Sequence, residues 1–177
     1  LSTGSKPLAE VFDGLREGVP SDELISSRLR ESSFPESTAR ALLWRINEAK
    51  NLYHEVLDYD SKKVHLEHIA PVSSTSVWLK SLDIQSESPT AENEYQDLIT
   101  RLGNYTLLEY KLNTAIKNGP WHIKKLGIEG EKKKSYKDST ISLVVDIRTL
   151  DMWNKVCILQ RTEWIANAVL GIWTYGQ

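Results

Sequence analysis

Two imidazoles and a carboxylate lie within four residues, at His65, Glu67 and His68. The chain has only four histidines and one cysteine, so few other side chains can exchange a proton near neutral pH. A histidine exchanges its proton in this pH range, and a carboxylate binds hard divalent cations. The segment therefore has the groups that metal-assisted hydrolysis needs, and the alternative interpretation is a hydrogen-bonded polar edge of a strand.

A short strand is predicted to carry these side chains. Apolar and polar residues alternate over residues 64–67, which is typical of a strand with one buried face. Pro71 lacks a backbone N–H and keeps the residue before it extended, so the strand is expected to end near it. Because neighbouring strand residues lie on opposite faces, Glu67 and His68 serve one site only if the backbone leaves the extended conformation there.

Further elements that bear on the site are predicted downstream. A helix from about Ala91 is expected to end with Gly103 as its C-terminal cap. The segment 104–108 is rich in strand formers, and helical character returns from about Asn113 until residues 118–120 interrupt it. The sequence thus predicts two short strands followed by a short helix.

The segment before the first strand is predicted to be a helical support region. Within residues 1–60, helical periodicity appears over about 8–15 and 24–29, and a long third helix follows. Ser33 and Glu36 have the spacing of a capping box at the start of that third helix. Nothing in this region forms a convergent polar cluster, so we expect it to support rather than to react.

The C-terminal part is predicted to hold a basic segment and a buried helix. Residues 124–137 contain six lysines and two glycines, which indicates an exposed, flexible segment that is either solvated surface or a clamp on phosphates. From Ile141 onward the pattern is helical, with Trp153 and Trp164 on the predicted buried stripe.

The composition limits the possible classes of protein. The 177 residues are 40% hydrophobic, enough for one buried core, and the net charge of −2 gives no general attraction to nucleic acid. Cys157 is the only cysteine, which excludes an internal disulfide and a thiolate zinc site. We find no apolar run of the roughly 20 residues that a membrane span needs and no signal peptide, so we expect a cytoplasmic protein. The start at Leu1 rather than Met predicts a fragment of a larger polypeptide.

An ordered set of motifs resembles the His-Me finger, or HNH, endonucleases. The set consists of Glu67-His68-Ile69-x-Pro71, then Leu102-Gly103-Asn104 entering a strand, then Asn113 in a helix. Within that superfamily the chain is similar, over roughly residues 60–175, to the C-terminal nuclease domain of GmrSD-like modification-dependent restriction and phage-defence enzymes. The match continues through Asn118, Pro120-Trp121, Lys124-Lys125, Tyr136, Ser139, Arg161 and Trp173. The resemblance implies a mainly α-helical α+β fold, with a ββα-metal finger embedded in a helical bundle and residues 61–177 as the nuclease domain.

The resemblance also implies a role for each matched residue. His68 would be the general base that activates a water against a phosphodiester, and Asn104 would support the geometry around it. Glu67 and Asn113 would bind a divalent cation, Mg²⁺ or else Mn²⁺, although many HNH enzymes have the shorter aspartate where Glu67 stands. Lys117, counted with His68 and Asn104 as catalytic, would contact the scissile or a neighbouring phosphate, as would His65. Lys124 and Lys125 would position the DNA backbone.

Three functions are compatible with the sequence. The first, from the resemblance, is a metal-dependent DNA endonuclease that nicks or cuts both strands as the effector domain of a prokaryotic restriction enzyme. Its parent polypeptide would also carry an N-terminal nucleotide-hydrolysing sensor domain. The second is a catalytically inactive helical module that binds DNA or protein and keeps the finger as a scaffold. The third is a hydrolase for a small phosphoester.

Overall fold

The computed structural model describes residues 20–50, 62–129 and 135–173, and it confirms the mainly α-helical α+β class. The described part contains one two-stranded sheet and two 3-10 turns, Leu102–Asn104 and Tyr136–Asp138. Its helices and strands are α1 (Asp22–Glu31), α2 (Glu36–Lys50), β1 (Val64–His68), α3 (Ser76–Ser81), α4 (Ala91–Ile99), β2 (Tyr105–Glu109), α5 (Tyr110–Ile116), α6 (Trp121–Leu126), α7 (Ser142–Ile147) and α8 (Lys155–Trp173).

The two strands, which are separated in the chain by α3 and α4, form an antiparallel pair in which His68 pairs with Tyr105 and Glu67 pairs with Thr106. Since side chains alternate along a strand, His68 and Glu67 belong to opposite faces of this two-stranded sheet. The helix α5 follows β2 directly, so the predicted order of strand, strand and helix is confirmed, although α5 begins at Tyr110 rather than near Asn113.

The turn between α4 and β2 packs tightly against α8. A Cβ atom on Gly103 would lie 2.0 Å from the Ile158 carbonyl oxygen, so only glycine fits between the turn and the helix. Arg161 of α8 donates to the carbonyl oxygens of Gly103, at 2.7 Å, and of Tyr105. The predicted role of Gly103 as a helix cap is wrong, because α4 has already ended at Ile99 and the glycine serves close packing.

The helices α1 and α2 pack against α8, and α2 also contacts both strands. Their buried Leu29 and Leu43 belong to the same core as Ile158 of α8. The predicted capping box does not form, because α2 begins at Glu36 and the Ser33 hydroxyl lies 2.9 Å from that of Thr100. The predicted helix over 8–15 lies outside the described residues, and the boundary at residue 60 stays a prediction.

The C-terminal region differs from the single helix expected from Ile141. It consists of α7 and α8, and the fully buried Trp153 lies in the connection between them. Trp164 is not a core residue, because it is 38% exposed and the Lys50 ammonium lies over its ring. None of the helices in the described ranges is long and apolar enough to cross a membrane.

Candidate active site

His68, the last residue of β1, has the environment of a proton acceptor. Its side chain is 15% exposed, and its ring meets that of Tyr105 edge-on at 4.6 Å. Its Nε2 lies 3.9 Å from Oε1 of Glu36, at the start of α2. Burial lowers the pKa of His68 below its usual 6.5, the charge of Lys124 lowers it further, and Glu36 acts in the opposite direction. The imidazole is therefore neutral near pH 7 and can accept a proton.

Asn104 fixes the loop that follows His68. Its Oδ1 accepts the backbone N–H of Ala70 at 2.8 Å and the indole N–H of Trp153 at 3.2 Å. Its Nδ2 donates to the Ala70 carbonyl oxygen at 2.9 Å, and its own carbonyl accepts from Ile69 at 2.9 Å. Because Asn104 is fully buried, it cannot touch a substrate. Of the three residues predicted as catalytic, this one acts by holding the backbone beside His68.

Glu67 points into the protein on the opposite face of the two-stranded sheet from His68. Its side chain is 8% exposed, and its Oε1 accepts Lys124 Nζ at 2.6 Å and the Tyr136 hydroxyl at 3.1 Å. Burial raises the pKa of Glu67, while Lys124 and Tyr136 act to lower it. The expectation that Glu67 binds a cation together with Asn113 is not met in this arrangement, because the carboxylate already has an ammonium as its counterion.

The three predicted phosphate-binding lysines have different surroundings. Lys124 is 1% exposed and also donates to the His68 carbonyl oxygen at 2.9 Å, so in this arrangement its ammonium faces the protein interior, and its contact with DNA stays a prediction. Lys125 donates to the Leu150 carbonyl oxygen at 2.8 Å. Lys117 is exposed just after α5, in the left-handed region with φ of 46°. Lys117 and Lys125 remain candidates for contacts with phosphate.

The other two predicted site residues lie on or beside β1. Asn113, on α5, donates from Nδ2 to the Leu66 carbonyl oxygen at 3.5 Å. His65 packs its ring against that of Tyr110, with 4.8 Å between the centroids. Within the described ranges, the hydrogen bonds bring Glu67, His68 and Lys124 together, but no hydrogen bond joins Asn113 to any of them.

The predicted cation ligands are Glu67 and Asn113. No group of three or more His, Cys, Asp or Glu side chains suited to a metal exists in the part of the chain that the structure describes. Glu67 does not fit as a ligand, since its nearest cation is the buried Lys124 ammonium. The expectation of Mg²⁺ therefore rests on the resemblance, and Asn113 stays a predicted ligand.

Two features of the site were missed in the sequence. Glu36 reaches His68 from the start of α2, 32 residues earlier in the chain, and its apparent capping-box spacing pointed to another role. A groove of about 570 Å³ lies where β1 begins and α5 starts. The groove contains the half-exposed ring of Tyr110 and three lysines, and it is lined by Lys62, Lys63, Glu109, Tyr110, Lys111, Leu112 and Asp138. The sequence features that could have indicated this groove are the two lysines before β1 and the single lysine, Lys111, after β2.

The fold and the site together define a mainly α-helical α+β domain with a shielded histidine at the end of the first strand of its two-stranded sheet. Over residues 19–168 the chain matches the family described as GmrSD restriction endonucleases, C-terminal domain, and it belongs to that family. The match confirms the resemblance to the GmrSD C-terminal nuclease domain, and a restriction endonuclease acts on DNA. Neither a curated protein nor a solved structure matches the chain.

Proposed function

We propose that this domain is a DNA endonuclease of the HNH type that hydrolyses phosphodiester bonds, with His68 as the general base. The observation that carries the proposal is the state of His68, which is shielded and neutral at the end of β1. A neutral imidazole can take a proton from an attacking water, and burial lowers the pKa of His68 and so favours the neutral form. The loop held by Asn104 keeps this imidazole in place.

A divalent cation, most simply Mg²⁺, is part of the proposal. When bound, such a cation supplies charge stabilisation to the phosphate and to the leaving oxygen. Asn113 offers an amide oxygen beside β1, and Glu67 is left out of the ligand set because it faces Lys124.

Contacts to the DNA backbone are assigned to groups outside the core. Lysines and an exposed aromatic ring are the side chains that hold a nucleic-acid strand by charge and by stacking. The groove beside Tyr110 combines both, and the ring of His65 lies against it. Lys117 and Lys125 add positive charge outside this groove.

The biological role follows from the family. As part of a restriction endonuclease, the domain would be the effector that cuts DNA in anti-phage defence. Recognition of modified DNA would belong to an N-terminal nucleotide-hydrolysing domain of the same polypeptide, as the resemblance implies. This division of labour predicts little sequence preference for the domain alone.

The proposal is tested by incubating the purified protein with supercoiled plasmid and Mg²⁺ or Mn²⁺. We expect nicked or linear product, loss of product in EDTA, and loss in His68→Ala. The matched control is His122→Ala, since His122 is exposed on α6. Equal cleavage by His68→Ala and the wild type would remove His68 from the mechanism. Binding of DNA without cleavage would favour the inactive module, and cleavage of a chromogenic phosphodiester alone would favour a small-phosphoester hydrolase.

A further inference from the structure

A buried ionic cluster lies directly behind the candidate base. It consists of Glu67 on β1, Lys124 on α6 and Tyr136 in a 3-10 turn, and each of the three is less than 10% exposed. Both Lys124 Nζ and the Tyr136 hydroxyl donate to the same oxygen, Glu67 Oε1, at 2.6 and 3.1 Å. Burial raises the pKa of Tyr136 well above its usual value, so the hydroxyl keeps its proton and remains a donor. Three separate segments are thereby joined at one carboxylate.

The cluster also reaches the backbone of His68 itself. Lys124 Nζ donates to the His68 carbonyl oxygen at 2.9 Å, in addition to its bond with Glu67. On the other side of that peptide, the N–H of Ile69 donates to the carbonyl oxygen of Asn104 at 2.9 Å. The peptide that carries the imidazole is therefore held at both its C=O and its N–H, which restricts where the ring can point.

We propose that Glu67, Lys124 and Tyr136 act as positioning residues for His68, and that Glu67 is the acceptor of this cluster rather than a ligand of the catalytic cation. The proposal rests on the proposed function in one respect, that His68 is the base. It departs from the role that the resemblance implies for Glu67.

Two physical reasons favour this assignment. A Mg²⁺ ion keeps several waters and needs open coordination positions, but the carboxylate is 8% exposed and its neighbouring ammonium is 1% exposed. A cation at Glu67 Oε1 would have to displace the buried Lys124 ammonium, and a cation at the other carboxylate oxygen would lie close to that same ammonium; the unpaired charge in the first case and the like-charge repulsion in the second are both unfavourable. Moreover, Glu67 and His68 lie on opposite faces of a regular strand, so the two-stranded sheet would separate a cation at Glu67 from the base.

The test compares Glu67→Gln, Lys124→Met and the double variant, with Glu87→Gln and Lys80→Met as exposed controls. The measurements are kcat and KM for plasmid nicking, Mn²⁺ affinity by calorimetry, and unfolding in urea. Each single variant is expected to lower kcat by about tenfold to 100-fold with KM and Mn²⁺ affinity unchanged, because small displacements of a catalytic group cost that much. The double variant should lose no more than the worse single variant, since residues that act as a unit are not additive.

Two results would overturn the proposal. One is a fall of about tenfold or more in Mn²⁺ affinity in Glu67→Gln but not in Lys124→Met, which is the behaviour of a ligand. The other is a pair of kcat losses that multiply in the double variant.

Tyr136→Phe covers the case in which the charge variants do not fold. It removes one hydroxyl and keeps the ring, which packs edge-on against Trp121. We expect a lower kcat, an unchanged KM and faster amide exchange at Ile69, and unchanged kcat and exchange would refute the positioning role. If the wild type does not cleave DNA, the proposed function fails, but the amide exchange rate at Ile69 and the urea unfolding of the single and double variants still decide whether the cluster holds the peptide after His68.

Discussion

Replacing Asn104 by aspartate tests how the loop after β1 is held. The side chain keeps its shape and both its acceptor bonds, from Ala70 N–H and from Trp153 Nε1. The second oxygen, however, replaces an Nδ2 that donates to the carbonyl oxygens of Ala70 and Ile99 at 2.9 and 3.1 Å. Each buried group left without its partner costs about 1–3 kcal/mol, so an ionised aspartate is expected to cost at least about 2–6 kcal/mol.

The cost should depend on pH with a definite sign. Burial and the two facing carbonyls raise the pKa of the new carboxyl in the folded state, and the protonated form can donate to one of them. Stability is therefore retained below the ordinary pKa of aspartate and lost as pH rises through the raised folded value. Urea unfolding of Asn104→Asp at pH 5 and pH 8 measures this, with the exposed Asn118→Asp as the control.

Asn104→Asp should thus lose more stability at pH 8 than at pH 5, relative to the wild type at each pH. The loss at pH 8 is expected to exceed that at pH 5 by more than about 1 kcal/mol, the net contribution of one hydrogen bond. An equal loss at both pH values, or a variant as stable as Asn118→Asp, would refute the described bonding of Asn104. Plasmid nicking at pH 8 should fall with stability, because this loop follows His68 directly.

Two further predictions concern packing and pH. Gly103→Ala would place a methyl group 2.0 Å from the Ile158 backbone, so we expect a loss of at least about 1–3 kcal/mol in urea unfolding; a neutral substitution would contradict the close packing against α8. The acid limb of the pH profile of kcat/KM for nicking should lie below 6.5, because burial lowers the pKa of His68. Since Glu36 raises that pKa, Glu36→Gln should move the limb to lower pH, and a move to higher pH would exclude its assigned effect.

The sequence determined the local elements and the candidate for the general base. Alternating residues and Pro71 located β1, strand formers located β2, and the helix after it followed from its composition, because these signals depend on neighbours in the chain. The motif around His68 was enough to identify the family, which the match over residues 19–168 confirms. Boundaries were less certain, since α5 begins three residues before Asn113.

Only the tertiary structure decided the partners of the charged residues. Lys124 belongs to a lysine-rich segment and so resembled an exposed phosphate contact, yet α6 buries it against Glu67, 57 residues away. Glu36 resembled a helix cap, but the packing of α2 on the two-stranded sheet brings the Glu36 carboxylate to His68. Burial and long-range pairing set the free energy of a charge, and neither is encoded in local spacing. The sequence therefore indicated which residues of β1 could take part in catalysis, whereas the packing decided that Glu67 faces a buried ammonium and that His68 does not.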